Sequence, residues 1–384
     1  MFPLFAQQPT TIFEHMSALA REHRAVNLGQ GFPDFGWPDD VVARAAEALT
    51  GEASQYPPMR GLAELRAAIA RHYAQHQGLT IDSDEVTVTS GATEALAAAI
   101  MALISPGDEV LLFQPLYDAY LPLVLRAGGV PRLVRLEPPG WRITPELLDG
   151  AFSRRTRLVV FNNPHNPTSR LFDADELSLL ARACVRHDAV AISDEVWEHV
   201  VFDGARFVSL SALPGMRERT VKIGSAGKIF ALTGWKVGWA VAPAELAAPI
   251  ARAHQFLTFT TAPNLQAAVA YGLAKPDDYF STMRAELETA RAFLAAGLAD
   301  AGYCTLPAEG TYFLSVDLRA SDLEIDDLSF CERAVREAGV AAIPVSALYA
   351  DEPVRQVVRL CFAKRRDTLA AGAARMGDAR RLFS

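Results

Sequence analysis

The sequence predicts an α/β fold, with a large domain whose mostly parallel sheet is flanked by helices and a small α+β domain beside it. In the middle of the chain, short apolar segments alternate with helical segments of about 10 to 15 residues, which is the pattern of βαβ units. The 384 residues, 50% hydrophobic and 21% charged, have a globular composition and suffice for two or three domains. No repeat or Pro/Gly/Ser-rich linker divides the chain, so the domains must be interleaved.

Composition excludes several classes of function. The net charge of -8 leaves no basic face for nucleic acid. No uninterrupted apolar run approaches the roughly 20 residues of a membrane span. The first residues lack a basic region and reach Glu14 early, so we expect no signal peptide. The four cysteines are far apart and form no CxxC pair, which argues against a disulfide scaffold or a metal site and favours a cytoplasmic protein.

The elements follow in a regular order. The chain before about residue 40 is expected to be loop, because residues 28–40 hold three glycines and two prolines. A helix is predicted at 39–49, where Asp39 or Asp40 is a plausible N-cap. The pattern then predicts helix 61–77, a strand ending at Thr89 and a helix after the Ser90–Gly91 turn, strand 109–113, helix 116–127, strand 158–162, helix 173–187, strand 189–193, strand 220–224 and strand 237–242.

The last hundred residues have a different pattern. A long helix is predicted after residue 277, followed by the strand-like TYFLSVDL, a helix at 326–338 and the strand-like VVRLCFA. We therefore predict an N-terminal arm, shared with the small domain, at 1–40, a large domain at 41–280 and a C-terminal small domain at 281–384.

Polar residues follow the predicted strands, where ligands bind in α/β sheets. The turn from Ser90 to Thr93 opens a helix, so its free N–H groups suit a phosphate, although small polar turns are common there. Asp194 ends a buried strand and needs a partner, either the next helix, as its N-cap, or a protonated ring nitrogen.

Three further residues also have both a structural and a functional interpretation. Two prolines fix the loop NNPHNPTSR and display Asn166, which is either structural or functional. Lys228 lies between small and apolar residues, which would desolvate its amine and lower its pKa, as a Schiff-base lysine requires. Arg359 lies inside an apolar strand, where a guanidinium usually meets a carboxylate of the protein or of a ligand.

In their order along the chain, NNPHNPTSR, SDEVWEHV, SAGKIFALTGWKVGW and VVRLCF resemble the motifs of class I/II aminotransferases, which are pyridoxal-phosphate (PLP) enzymes of fold type I. The separations of 28 residues from Asn166 to Asp194 and of 34 from Asp194 to Lys228 are also similar to those of the family. NLGQGFPDF and QYPPMRG look most like the kynurenine/glutamine and methionine aminotransferase branch. The resemblance implies PLP as the cofactor of the large domain and a homodimer with shared active sites.

The resemblance also implies a role for individual residues. Lys228 would form the aldimine with PLP and then move the proton. Asp194 would pair with the ring nitrogen, and Arg359 would hold the substrate α-carboxylate. The other implied roles are Asn166 at the cofactor O3′ and beside the substrate, Tyr117 on the ring face, Gly91, Ala92, Thr93, Ser225 and Lys236 around the phosphate, Gly31 beneath the substrate, and Tyr56 reaching the partner's phosphate across the dimer.

One residue departs from the family pattern. A tyrosine usually follows SDEV, and its hydroxyl helps to hold O3′, whereas this chain has Trp197. An indole N–H is a donor only. Trp197 either points at O3′ and changes the reactivity, or is a tolerated substitution that leaves more of the task to Asn166.

The leading hypothesis is a ping-pong aminotransferase that moves the amino group of an L-amino acid to a 2-oxo acid. A cysteine-S-conjugate β-lyase and an idle PLP-fold regulator are the other hypotheses, and the intact Lys228 argues against the regulator. Arg60 is a candidate for holding a distal carboxylate, which keeps N-succinyldiaminopimelate possible. Methionine, glutamine, phenylalanine and kynurenine are all admissible, because aromatic residues are expected near the pocket: Phe32, Phe35, Trp37, Tyr56, Tyr117 and Trp197.

Overall fold

The computed structural model describes residues 10–51 and 54–383. The first nine residues of the predicted arm lie outside the described part. The strands are β1 (Val26–Asn27), β2 (Val86–Ser90), β3 (Glu109–Gln114), β4 (Val130–Arg135), β5 (Thr156–Asn162), β6 (Val190–Asp194), β7 (Thr220–Ser225), β8 (Val237–Val241), β9 (Cys304–Thr305), β10 (Phe313–Asp317), β11 (Val340–Ala341), β12 (Ile343–Pro344) and β13 (Val357–Cys361). The helices are α1 (Ile12–Glu22), α2 (Asp39–Gly51), α3 (Ala63–Gln77), α4 (Gly91–Leu103), α5 (Tyr120–Arg126), α6 (Pro145–Ala151), α7 (Ala174–His187), α8 (Ala226–Ile229), α9 (Ala244–Leu257), α10 (Pro263–Leu273), α11 (Asp277–Asp300), α12 (Asp327–Arg333) and α13 (Arg366–Arg381).

A seven-stranded sheet forms the centre of the molecule, in the order β2-β8-β7-β6-β5-β3-β4. β8 is antiparallel to both of its neighbours, and the other pairs are parallel. The inner parallel strands β3, β5 and β7 are almost wholly buried because helices cover both faces, and they are correspondingly rich in Val, Ile and Leu, whereas the edge strand β4 is partly exposed. The predicted α/β class with a mostly parallel sheet is confirmed.

The strand directions gather polar residues at one edge of the large sheet. β2, β5, β6 and β7 end at Ser90, Asn162, Asp194 and Ser225. Because β8 runs the opposite way, its first residues lie at the same edge, and Lys236 comes directly before it. The sheet therefore places side chains from five strands around one crevice, as open α/β sheets commonly do.

The N-terminal segment packs against the C-terminal third of the chain. There, β12, β13, β10 and β9 form an antiparallel sheet, and β1 pairs with β11. Val26 pairs with Val340, so the residues that follow β1 run toward the end of β13. This places Gly29 within reach of Arg359, whose Nη2 donates to the Gly29 carbonyl at 3.0 Å.

Three sequence predictions need correction. The expected N-terminal loop contains α1, whose Thr11 side chain accepts from the Glu14 N–H and whose apolar face is buried. α5 begins at Tyr120 rather than at 116, and the segment before it is tied to the C-terminal third of the chain by the Leu116 N–H, which donates to the Leu348 carbonyl. The helix predicted at 326–338 is α-helical only to Arg333 and continues as a π-helix.

None of the helices within residues 10–51 and 54–383 is both long enough and apolar enough to span a bilayer.

Candidate active site

A cavity of about 310 Å³ opens at the edge where the strand ends gather. All the predicted site residues except Tyr56 line it. Tyr56 is 83% exposed and contacts the Phe259 ring instead, at 5.6 Å between centroids. The residues brought together are Gly31, Gly91, Ala92, Thr93, Tyr117, Asn166, Asp194, Trp197, Ser225, Lys228, Lys236 and Arg359.

Lys228 lies in the one-turn helix α8 after β7, and its amine reaches into the cavity. Nζ donates to the Tyr312 hydroxyl at 3.2 Å and lies 4.7 Å from the centre of the Trp197 ring. Burial lowers the pKa of Lys228 to about 8, and the charges of Arg359 and Lys236 act in the same direction. The amine can therefore exchange a proton near neutral pH.

Asp194 ends β6 with its carboxylate buried. Oδ2 accepts from the Tyr120 hydroxyl at 2.6 Å, and the main-chain carbonyl accepts from Asn162 Nδ2 at 2.8 Å. Burial raises the pKa of Asp194 to about 6, against the hydrogen bonds and the Lys228 charge, which lower it. A cationic ligand group beside Asp194 would stabilise the ionised form.

Arg359 is 1% exposed and lies on β13. Its Nη1 donates to Asn166 Oδ1 at 2.7 Å, and its guanidinium stacks 3.8 Å from the centre of the Phe313 ring. Nε has no hydrogen-bond partner, and among the described residues no carboxylate forms an ion pair with Arg359. A buried guanidinium without a counter-ion is a ready site for a carboxylate ligand.

A second uncompensated positive site lies at the start of α4. Gly91 begins this 13-residue helix, and a Cβ added to Gly91 would lie 3.1 Å from Lys236 Nζ. In the described part of the chain Lys236 has no carboxylate partner, although its ammonium faces the positive end of a helix dipole. An anion bound here would satisfy both charges, as phosphates do at helix N-termini.

The contacts of Gly31, Asn166 and Trp197 show what fixes each of these predicted residues in place. Gly31 lines the cavity, but what excludes a side chain there is the Phe313 ring, 2.7 Å from an added Cβ. The Asn166 N–H donates to Asn162 Oδ1 at 2.7 Å, which fixes the displayed loop. The buried Trp197 packs edge-to-face on Tyr312 with 4.3 Å between centroids, and among the described residues its indole N–H has no hydrogen-bond partner.

The aromatic lining of the pocket was only partly predicted. Phe35 and Trp37 line a neighbouring cavity of about 440 Å³ rather than this one. Phe32 lies at the surface, beneath the Lys364 ammonium. Arg60 does not line the cavity and donates to the main-chain carbonyl of Asp84. The apolar and aromatic walls are formed by Phe13, Leu96, Tyr117, Tyr120, Val196, Trp197 and Phe313.

Sequence reasoning missed Tyr120, Asn162 and Tyr312, which contact or position the three central groups. Tyr120 and Asn162 belong to motifs that were recognised, QPLYDAY and NNPHNP, and the position of Asn162 at the end of a strand was a usable signal. Tyr312 gave no such signal, because it lies just before β10 and contacts Lys228 across 84 residues of the chain.

Comparison with known families agrees with this geometry. A family model described as aminotransferase class I and II matches residues 23–375. The chain belongs to this family. Its members are PLP-dependent transaminases, so this aminotransferase is an enzyme that uses PLP.

Individual relatives resemble the aminotransferase over nearly its whole length. It is 43% identical over 371 residues to the methionine aminotransferase of Escherichia coli, with 96% of both chains covered. It is 36% identical over 387 residues to the human kynurenine–oxoglutarate transaminase 1, with 92% of both covered. The solved structure of N-succinyldiaminopimelate aminotransferase from Mycobacterium tuberculosis superposes with a TM-score of 0.95 at 43% identity, covering 99% of this chain and 100% of that one.

The charged groups of the cavity match those of PLP, the cofactor that the family uses. Lys236 and the start of α4 offer a positive cradle for the phosphate, and no carboxylate of the described residues fills it. Asp194 offers a buried carboxylate for the ring nitrogen, and Lys228 offers an amine for the aldehyde. Arg359 offers a buried guanidinium with no directly bonded carboxylate among the described residues, which suits the carboxylate of a ligand.

Proposed function

We propose that this aminotransferase moves the amino group of an L-amino acid with a neutral side chain to a 2-oxo acid in a ping-pong cycle. Methionine, glutamine, aromatic amino acids and kynurenine are the donor candidates. The observation that carries the proposal is Arg359, buried and without a carboxylate partner among the described residues, in the same cavity as Lys228. Together they can hold an α-carboxylate and exchange a proton at the adjacent carbon.

In the proposed reaction, each residue of the cavity has a different role. When bound, PLP supplies an aldehyde that condenses with amines and a ring that withdraws electrons from the substrate α-carbon. Asp194 favours protonation of the ring nitrogen, which strengthens that withdrawal. Lys228 Nζ would take the proton from the substrate α-carbon and return it two atoms away, at the carbon that had carried the aldehyde oxygen, a role that suits its pKa of about 8. Arg359 and Asn166 orient the substrate, and the apolar walls exclude water.

The preference for neutral donors follows from the charges of the cavity. Its cationic lining residues are Lys228, Lys236 and Arg359, and each already has a part in binding the cofactor or the α-carboxylate. Within the cavity that the described residues form, no cation is left for a second carboxylate. The similarity to methionine and kynurenine aminotransferases supports the same class of donor.

N-succinyldiaminopimelate is the second candidate, because a relative named for that activity is 44% identical over 373 residues. This substrate carries further carboxylates besides the α-carboxylate, so it requires a cation from outside the cavity described here. Arg60 is one candidate, although its Nη1 is engaged by the Asp84 carbonyl.

We further propose a homodimer and a two-domain division of the chain. Tyr56 and Phe256 are 83% and 84% exposed, and such aromatic exposure marks an interface. The large sheet lies within the proposed domain 41–280. The four-stranded sheet lies within 281–384, and β1 pairs with β11 of the same segment in a separate two-stranded sheet, as expected for an arm that belongs to the small domain.

An absorbance titration of the PLP-loaded protein with a panel of amino acids tests the function. We expect amino acids with neutral side chains to abolish the yellow absorbance band of the PLP-loaded protein. A 2-oxo acid should then restore that band. Lys228→Ala should bind PLP but not transaminate, whereas Lys275→Ala, which alters a partly buried lysine paired with Asp40 and outside the cavity, should behave as wild type. Pyruvate release from a cysteine conjugate without an oxo acid would indicate a β-lyase instead. Turnover of dicarboxylates alone would favour the second candidate.

A further inference from the structure

The free amine of Lys228 has a directional partner in Tyr312. The Tyr312 hydroxyl donates to the Gly31 carbonyl at 2.8 Å, so its single proton is engaged. Its oxygen is therefore left as an acceptor toward Lys228 Nζ, 3.2 Å away. Burial raises the pKa of Tyr312 well above its ordinary value, so the hydroxyl stays neutral and cannot act as a base.

Two aromatic rings complete the surroundings of the amine. The centre of the Trp197 ring lies 4.7 Å from Lys228 Nζ, and the centre of the Tyr312 ring lies 5.6 Å from it. Trp197 is itself held by Tyr312 and by Phe313, with ring centres 4.3 and 5.6 Å away. Both Trp197 and Tyr312 are almost fully buried, so the rings present fixed faces to the cation.

The Lys228 side chain borders two cavities. It lines the 310 Å³ cavity and, together with Tyr312, the neighbouring cavity of about 440 Å³ that contains Phe35 and Trp37. A lysine side chain has four rotatable bonds, so an amine that is not bonded to the cofactor could turn into either space. Something must keep it on the side of the substrate.

We propose that Tyr312 and Trp197 are positioning residues that together hold the ammonium of Lys228 toward the substrate whenever its nitrogen is not bonded to the cofactor. The hydroxyl fixes the direction of one N–H, and the indole face stabilises the charge. This assigns a use to the tryptophan found where relatives have a tyrosine. The inference rests on the proposed function of Lys228 as the reactive amine.

Charged groups near the amine also affect the pKa of Lys228, independently of Tyr312 and Trp197. The Asp194 carboxylate favours the protonated amine, and the Arg359 and Lys236 cations oppose it. The Cys361 thiol, whose pKa is raised by burial, is neutral. None of these is altered by changes at Tyr312 or Trp197. The hydroxyl and the indole face both favour the ammonium, so removal of either should lower the pH at which Lys228 loses its proton.

The test uses the full-length protein freed of cofactor. Lys228 is labelled with a small amine-reactive acyl reagent from pH 6 to 10, and the labelled peptide is quantified by mass spectrometry. The wild-type midpoint is expected near 8. Tyr312→Phe keeps the ring and removes only the hydroxyl, so the midpoint should fall by about one pH unit, the equivalent of one hydrogen bond to a charged group. Tyr303→Phe is the matched control, because that hydroxyl donates to the Met376 carbonyl in another part of the core.

Trp197 provides an independent variant. Trp197→Leu removes the aromatic face and should lower the midpoint by about half to one pH unit, while Trp197→Phe should recover most of the loss. Midpoints equal to wild type in Tyr312→Phe and Trp197→Leu, with circular dichroism showing folded proteins, would overturn the proposal. Labelling reads the amine directly, so this result is separate from the absorbance titration, whose failure would count against the proposed function instead.

Discussion

At the scale of single residues, the site depends on charges that the fold buries before any ligand binds. Asp194 shows the consequence most clearly, since burial raises its pKa to about 6 while the Tyr120 hydroxyl holds it from rising further. Arg359 shows the opposite case, because burial lowers its pKa to about 10 and leaves it charged at neutral pH. Both residues are poised for a ligand of opposite charge.

Removing the Tyr120 hydroxyl should therefore weaken cofactor binding. In Tyr120→Phe the pKa of Asp194 rises further, so less of the carboxylate is ionised at pH 7 to pair with the ring nitrogen. We expect the PLP dissociation constant at pH 7 to increase about twofold, because a rise of about one pKa unit, the equivalent of one buried hydrogen bond, leaves only about half of the carboxylate ionised. The loss should shrink at pH 8.5, where Asp194 is ionised in both proteins.

Fluorescence titration with PLP at the two pH values measures this effect. Tyr349→Phe is the control, since that hydroxyl donates to the Leu136 carbonyl at 2.7 Å and does not line the cavity. A pH-independent loss, equal in both variants, would mean that Tyr120 acts only through packing.

At the scale of elements, the positive cradle exists because β8 and α4 approach each other closely. Gly238 on β8 makes this possible, because an added Cβ would lie 2.5 Å from the Ala92 nitrogen. Gly238→Ala must push the start of α4 away from the sheet. We expect a loss of about 1–3 kcal/mol in the free energy of unfolding, as for overpacked cores, together with weaker PLP binding.

Gly234→Ala, in the turn just before β8, is the matched control, because nothing lies within 4 Å of an added Cβ there. Urea denaturation and PLP titration of both variants provide the measurement. Equal stability of the two would show that the chain accommodates the methyl group and that the close approach is not required.

The elements also show what the sequence could and could not predict. Strand ends were predictable because apolar runs stop at polar residues such as Asp194, and the parallel sheet then places these ends together. Contacts between distant segments were not, because no local pattern encodes them: Tyr312 donates to a carbonyl 281 residues away, and Arg359 donates to Asn166 across 193 residues. The helix α1 was missed because the glycines and prolines after it suggested loop throughout the arm.

At the scale of the whole molecule, a buried histidine cluster joins α3 to the loop after β6. His72 Nε2 lies 2.7 Å from His199 Nε2, and His72 Nδ1 bonds to the Leu273 carbonyl at the end of α10. Burial lowers the pKa of His72 to about 3 and that of His199 well below its ordinary value. Above pH 6.5 both the folded and the unfolded chain hold these rings neutral, so they add no pH dependence there.

Below pH 6.5 these histidines bind protons in the unfolded chain but stay neutral in the folded chain. The free energy of unfolding therefore falls as the pH drops from 6.5 toward 3. His72→Asn removes one such site and keeps a donor for the Leu273 carbonyl. Between pH 6.5 and 5.5 the variant should lose about 1 kcal/mol less stability than wild type. Urea denaturation at the two pH values tests this, with the exposed His15→Asn as control. The same pH slope in all three proteins would contradict it.

The exposed Tyr56 makes the homodimer testable through activity. If Tyr56 completes the partner's site, a heterodimer of Lys228→Ala and Tyr56→Ala has one site with both defects and one site intact. Heterodimers purified through two different affinity tags should then show about half of the wild-type activity, one working site of two. Lys228→Ala homodimers should be inactive and Tyr56→Ala homodimers weak. Tyr271→Ala, an exposed tyrosine bonded to Asp40, is the control and should stay fully active. A heterodimer no more active than half of the Tyr56→Ala homodimer would place Tyr56 in its own subunit's site, because the only lysine-bearing site would then lack its tyrosine.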